Sequence, residues 1–98
     1  MSYKDKIVTD ARFVILRELT LQVDGRLNEL SLVRVLDAWG IDRTREWVRT
    51  QLNALAELGA VELVQSDPIA VAKITTLGRN HVAERAVIDG VTRPFEVD

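Results

Sequence analysis

Ninety-eight residues, 47% hydrophobic and 29% charged, predict one globular domain with a single core. The absence of cysteine excludes disulfides, zinc ribbons and thiol catalysis, and fits a reducing, cytoplasmic setting. The net charge of −2 weighs against a domain that holds nucleic acid by overall charge, because phosphate neutralisation supplies much of such affinity.

The opening stretch, "MSYKDKIVTD", carries charges of both signs and lacks the apolar centre of a signal peptide. Apolar runs stop at four residues, too short for a membrane span. A first helix is expected from Thr9 to about Gln22, capped by Thr9 or Asp10, with Ala11, Val14, Ile15 and Leu19 near helical spacing. Asp24-Gly25 marks a turn, and a short strand is expected near Leu27. Asn28 caps a second helix, whose buried stripe is Leu32, Val35, Leu36 and Trp39 and whose end is Gly40.

Asp42 or Thr44 caps a third helix. Val48, Leu52 and Leu55 repeat at i, i+4 and i+7, and Gly59 closes it. About four residues join the second and third helices, as in a helix-turn-helix. "AVELVQ" and "IAVAKITT" then read as two strands across a Ser66-Asp67-Pro68 turn. "GRNHVAERAVI" reads as a fourth helix, capped by Thr76, with Val82, Ala86 and Val87 facing inward. Residues 89–98 form an extended tail after a domain spanning 1–88. The expected class is mainly α with a small β-hairpin, in the order α-α-α-β-β-α.

That order resembles a winged helix-turn-helix domain. "LNALAELGAVEL" is similar to the junction between recognition helix and wing in MarR-like and ArsR-like regulators. "ITTLGRNHV" is similar to their return from the wing into the next helix, with Ile74, Thr75, Thr76 and Gly78 in the matching places. The whole chain also resembles a family of short Mu-like prophage proteins. It shares their "ARxxILRxL" start (Ala11 to Leu19), "RxWVRTQLxxLxELGAV" centre (Arg45 to Val61) and "GVxRP" end (Gly90 to Pro94). The resemblance implies a winged-helix fold and a phage origin, and hence the cytoplasm of a host cell.

With Val48, Leu52 and Leu55 inward, the third helix turns Arg45, Glu46, Arg49, Thr50, Asn53 and Glu57 outward. Arginine suits guanine edges and phosphates, and asparagine suits adenine. Arg43 adds charge near the helix N-terminus, where free N–H groups favour a phosphate. Arg43, Arg45, Arg49, Thr50 and Asn53 are therefore the candidate contacts to double-stranded DNA. Opposing this, Glu46 and Glu57 repel phosphate on the same face, and Asp67 makes the wing tip acidic.

His81 is the single histidine and reads as a surface or half-buried residue, without a second His or a Cys for metal. Ser31 and Ser66 lack a nucleophile motif, so no catalytic residue, metal site or cofactor is expected. Trp39 and Trp47 are expected to pack together across the turn. Helix one carries large apolar residues on more than one face, and Val87, Ile88, Val91 and Phe95 add to them. A homodimer through helix one, helix four and the tail would cover them and place two third helices on a two-fold DNA site. The leading expectation is a dimeric DNA-binding regulator or accessory factor. The other is a protein-interaction module on the same scaffold, without DNA.

Overall fold

The computed structural model describes residues 2–66 and 68–96, with residues 65 and 66 by their backbone only. Asp67, the acidic wing tip of the sequence reading, and Val97 and Asp98 at the end of the tail lie outside the described residues. In chain order the elements are α1 (Tyr3–Thr20), β1 (Arg26–Asn28), α2 (Glu29–Ala38), α3 (Arg45–Glu57), β2 (Val61–Ser66), β3 (Ile69–Ile74) and α4 (Thr76–Val82), followed by a 3-10 turn at Pro94–Glu96. Among the described residues this is an α+β fold of four α-helices and a three-stranded antiparallel sheet.

Helix α1 starts six residues before the expected Thr9. Ser2 and Asp5 form a capping box, the Ser2 hydroxyl accepting from the Asp5 N–H and the Asp5 carboxylate accepting from the Ser2 N–H. Thr9 and Asp10 are interior residues instead. Thr9 donates to the Lys6 carbonyl, and Asp10 pairs with Lys6 one turn back at 3.0 Å. Ala11, Phe13, Val14, Ile15, Leu16 and Leu19 are all buried. They lie on more than one face because α1 runs through the middle of the molecule, touching α2, α3, α4 and β3. The second apolar face of α1 is thus covered within this chain.

Helices α2 and α3 begin and end where the sequence places them, but of the expected α2 stripe Val35 is only half-buried and Trp39, at the helix end beside the turn, is exposed. The Asn28 side chain accepts from the Ser31 N–H at 2.8 Å, and Thr44 accepts from the Trp47 N–H at 3.1 Å. Leu32, Leu36, Val48, Leu52 and Leu55 are fully buried. Both helices end in a Schellman turn on a left-handed glycine. The Ile41 N–H reaches the Leu36 carbonyl beyond Gly40 (φ +81°), and the Ala60 N–H reaches the Leu55 carbonyl beyond Gly59 (φ +80°). In the sheet, β3 is central. It pairs with β2 from Val61↔Ile74 to Ser66↔Ile69 and with β1 from Arg26↔Lys73 to Asn28↔Val71. Ala70, Ala72 and Ile74 face the helices.

The C-terminal third departs most from expectation. Helix α4 spans only Thr76–Val82, capped by Thr75 rather than Thr76. It ends in a third Schellman turn, with the Glu84 N–H to the His81 carbonyl and the Arg85 N–H to the Asn80 carbonyl at 2.7 Å. The left-handed position is occupied by Glu84 (φ +64°) instead of glycine, so no sequence punctuation marked the stop. Val87 is consequently exposed, whereas Ile88, Val91 and Thr92 are buried. Residues 89–96 do not form a separate tail. They lie along α1, joined by the Thr92 N–H to the Thr9 carbonyl and by Arg12 to the Gly90 carbonyl.

Candidate interaction surface around the third helix

The five candidate residues do not form one strip. Arg45 and Arg49 converge on Glu29, the first residue of α2, whose side chain is fully buried. Arg49 donates its Nε to Glu29 Oε2 at 2.9 Å and its Nη2 to Oε1. Arg45 Nη2 stands 3.1 Å from the same Oε1. The Ala70 N–H donates to Oε1 at 2.9 Å. Both arginines also donate to the Pro68 carbonyl at the start of β3, Arg49 at 3.0 Å. The start of α2, one face of α3 and the hairpin are thereby tied at one carboxylate.

The Glu29 carboxyl is held at about 2, well below 4.5. The Arg49 hydrogen bonds are the largest cause. The Ala70 N–H and Arg45 add to them, and together they outweigh the burial that pushes the other way. Glu29 therefore stays ionised as a buried counter-charge. The arginine side chains are 38% and 34% exposed, so the cluster leaves one net positive charge partly in water.

The other three candidates lie elsewhere. Thr50 and Asn53 are exposed on α3, and the Thr50 hydroxyl donates to the Glu46 carbonyl in its own helix. Glu46 and Glu57 are exposed beside them. Arg43 precedes α3 and lies over the Trp47 ring, 5.5 Å from its centroid, with its Nη1 on the Asp42 carbonyl. Gln51, on the inner side of α3, is buried and accepts from Arg12 Nε at 2.9 Å.

Arg43 also borders a cleft between the N-terminal half of α1 and the α2–α3 turn. The cleft has a volume of about 370 Å³, with Tyr3, Ile7, Val14, Trp39 and Ile41 among its walls. Tyr3 is 80% and Trp39 40% exposed. The two tryptophans are not packed as the expected pair. Each ring takes its own guanidinium, Arg17 lying 5.0 Å from the Trp39 centroid and Arg43 over Trp47. An aromatic-walled cleft with arginine at its edge has the composition of a binding hot spot.

Glu29 and His81 were missed by sequence reasoning. Glu29 had a signal: it precedes Leu32 and Leu36 by three and seven residues, which places it on the buried stripe of α2. His81 is fully buried, not at the surface, and both its ring nitrogens bond the C-terminal segment. Among the described residues, no three His, Asp or Glu side chains gather as a metal site would require. Nor is any helix among them long and apolar enough to cross a membrane.

Similar proteins occur in a phage and in a bacterium. The chain is 36% identical over 90 residues to "Uncharacterized protein gp26" of Escherichia phage Mu, covering 92% of this chain and 93% of that one. It is 38% identical over 76 residues to an uncharacterised protein of Haemophilus influenzae, covering 76% and 74% respectively. No protein-family profile matches the chain. No solved structure matches it either.

Proposed function

We propose that this chain, which belongs to the family of the phage Mu protein gp26, is a winged-helix domain serving as a protein-interaction module rather than a reader of DNA. The winged-helix reading is supported by the order of elements, with α2–turn–α3 as the helix-turn-helix and β2–β3 as the wing. The observation that carries the functional reading is Glu29. It engages Arg45 and Arg49, the two arginines on α3 best placed for a groove, and turns them into struts between helix and hairpin. The recognisable binding feature lies instead at the cleft of Tyr3, Trp39 and Arg43.

Fluorescence anisotropy with a labelled random duplex at low salt tests this. The wild-type chain is expected not to bind. The Glu29→Gln variant, which takes the counter-charge from Arg45 and Arg49, is expected to bind weakly and with steep salt dependence. Wild-type binding that is lost in Thr50→Ala and Asn53→Ala would overturn the proposal. It would favour the second reading, a dimer that contacts DNA through α3. Exposed Thr50 and Asn53 speak for that reading, as do the exposed apolar side chains of Val87 and Phe95, which a second copy would cover. A photo-crosslinking residue placed at position 3, on the rim of that cleft, compared with one at 53, locates the partner surface directly. A protein adduct specific to position 3 is expected.

A further inference from the structure

We propose that His81 is a neutral-imidazole latch for the C-terminal strap of residues 84–96, and that protonation of its ring releases the strap from α1. The geometry fixes the form of the ring. Nδ1 receives the Ile88 N–H at 3.0 Å, so it carries no proton. Nε2 faces the Thr92 carbonyl at 2.9 Å, so it carries one and donates it. One side chain thereby holds two backbone groups of the strap, four residues apart. The ring is fully buried and packs edge-to-face with Phe13 of α1 at a centroid distance of 6.3 Å.

A second ring proton would aim an N–H at the N–H of Ile88. Two donors then face each other without water, and the Ile88 amide loses its acceptor. Docking of the strap and uptake of a second ring proton therefore oppose one another. By linkage, docking is strongest at high pH and weakens as the pH falls and the ring takes up its proton.

The charged groups around the ring do not replace this hydrogen bond. From α1, Asp10 is already engaged by Lys6 and by the Thr92 hydroxyl at 2.6 Å, and Arg12 is on the Gly90 carbonyl. From the strap, Glu84 and Arg93 line a cavity of about 100 Å³ beside His81 and carry opposite charges. Arg85 and Asp89 are exposed on the strap, and Arg79 is exposed on α4 itself. Release would bare the buried sides of Ile88 and Val91 and the stretch of α1 from Thr9 to Phe13.

Hydrogen exchange of the full chain between pH 7.5 and 5, corrected for intrinsic rates, tests the latch. As the pH falls across this range, protection of the Ile88 and Thr92 amides is expected to fall, by up to about tenfold per pH unit. The Leu32 and Leu36 amides should not follow. His81→Asn offers Ile88 an oxygen that does not titrate, and its strap protection should be flat across the range. Nitrogen chemical shifts of the wild-type ring give a readout that needs no variant, and should report the Nε2–H tautomer at pH 7.5. Strap protection that does not change with pH in the wild type would overturn the proposal. So would a doubly protonated ring under a protected strap, or the same pH slope in His81→Asn.

Discussion

Replacing Glu29 by Gln tests the strut between α2, α3 and the hairpin most directly, because glutamine has the shape of a protonated glutamate. It still offers the Ala70 N–H an acceptor but takes the counter-charge from Arg45 and Arg49. At about 1.4 kcal/mol for each tenfold change in proton affinity, a fall from 4.5 to about 2 corresponds to about 3 kcal/mol of folding stability at neutral pH. The partners are one-third exposed and can turn to water, so the observed cost should be lower, about 2 kcal/mol. The sign follows from the lowered carboxyl. The contribution is complete above about 4.5 and disappears as the pH falls toward 2. Urea unfolding of both proteins at pH 7 and pH 3 should show a gap of about 2 kcal/mol that narrows by about half at the lower pH. A gap below about 0.5 kcal/mol at pH 7, the ordinary range of a surface change, would refute the reasoning. So would a gap that is the same at both pH values.

Gly78→Ala should destabilise by about 1–3 kcal/mol in thermal unfolding, because its Cβ would press into the Ala60 carbonyl and stand 2.8 Å from Ile74 Cγ1. Thr44→Ala should cost about 1 kcal/mol by removing the cap of α3, measured by urea unfolding with an unchanged denaturant slope. Glu84→Gly should raise stability by up to about 1 kcal/mol, since glycine takes the left-handed turn without the Cβ penalty. Trp39→Ala should cost no more than about 1 kcal/mol of stability, because the ring is partly exposed and holds the Arg17 cation, yet it should abolish the crosslink formed from position 3 across the same cleft.

What was legible in the sequence was local. Asn28 and Thr44 announced helix starts through side chains that bond N–H groups three residues on. Gly40 and Gly59 announced helix ends through the left-handed conformation they adopt cheaply. Val48, Leu52 and Leu55 declared the inner face of α3 by spacing alone. The misses came where information was weak or distant. The start of α1 rests on Ser2 and Asp5, amid charged residues that give little apolar pattern. The end of α4 rests on a glutamate in a conformation its residue type does not advertise. The pairing of Glu29 with Arg49 spans twenty residues and a turn, and no periodicity in α3 alone reveals it. The same is true of His81, whose partners lie seven and eleven residues further along.

The Glu29 cluster also decides how α3 can meet a polyanion. For both guanidiniums to reach phosphates they must leave a carboxylate that no water reaches. Breaking such a pair costs on the order of 3–5 kcal/mol. Non-specific DNA binding at physiological salt, with Kd of about 10⁻⁴ to 10⁻⁶ M, amounts to only about 5–8 kcal/mol in total. Two arginines would have to return a large share of that simply to offset their departure. If they stay, Glu29 and the exposed Glu46 and Glu57 balance Arg43, Arg45 and Arg49, and Asp42 tips the neighbourhood negative. A surface with that balance gives no long-range attraction to DNA. The cleft beside Trp39 needs no such release, since Arg17 and Arg43 already lie on tryptophan rings that a protein partner can cover without separating an ion pair.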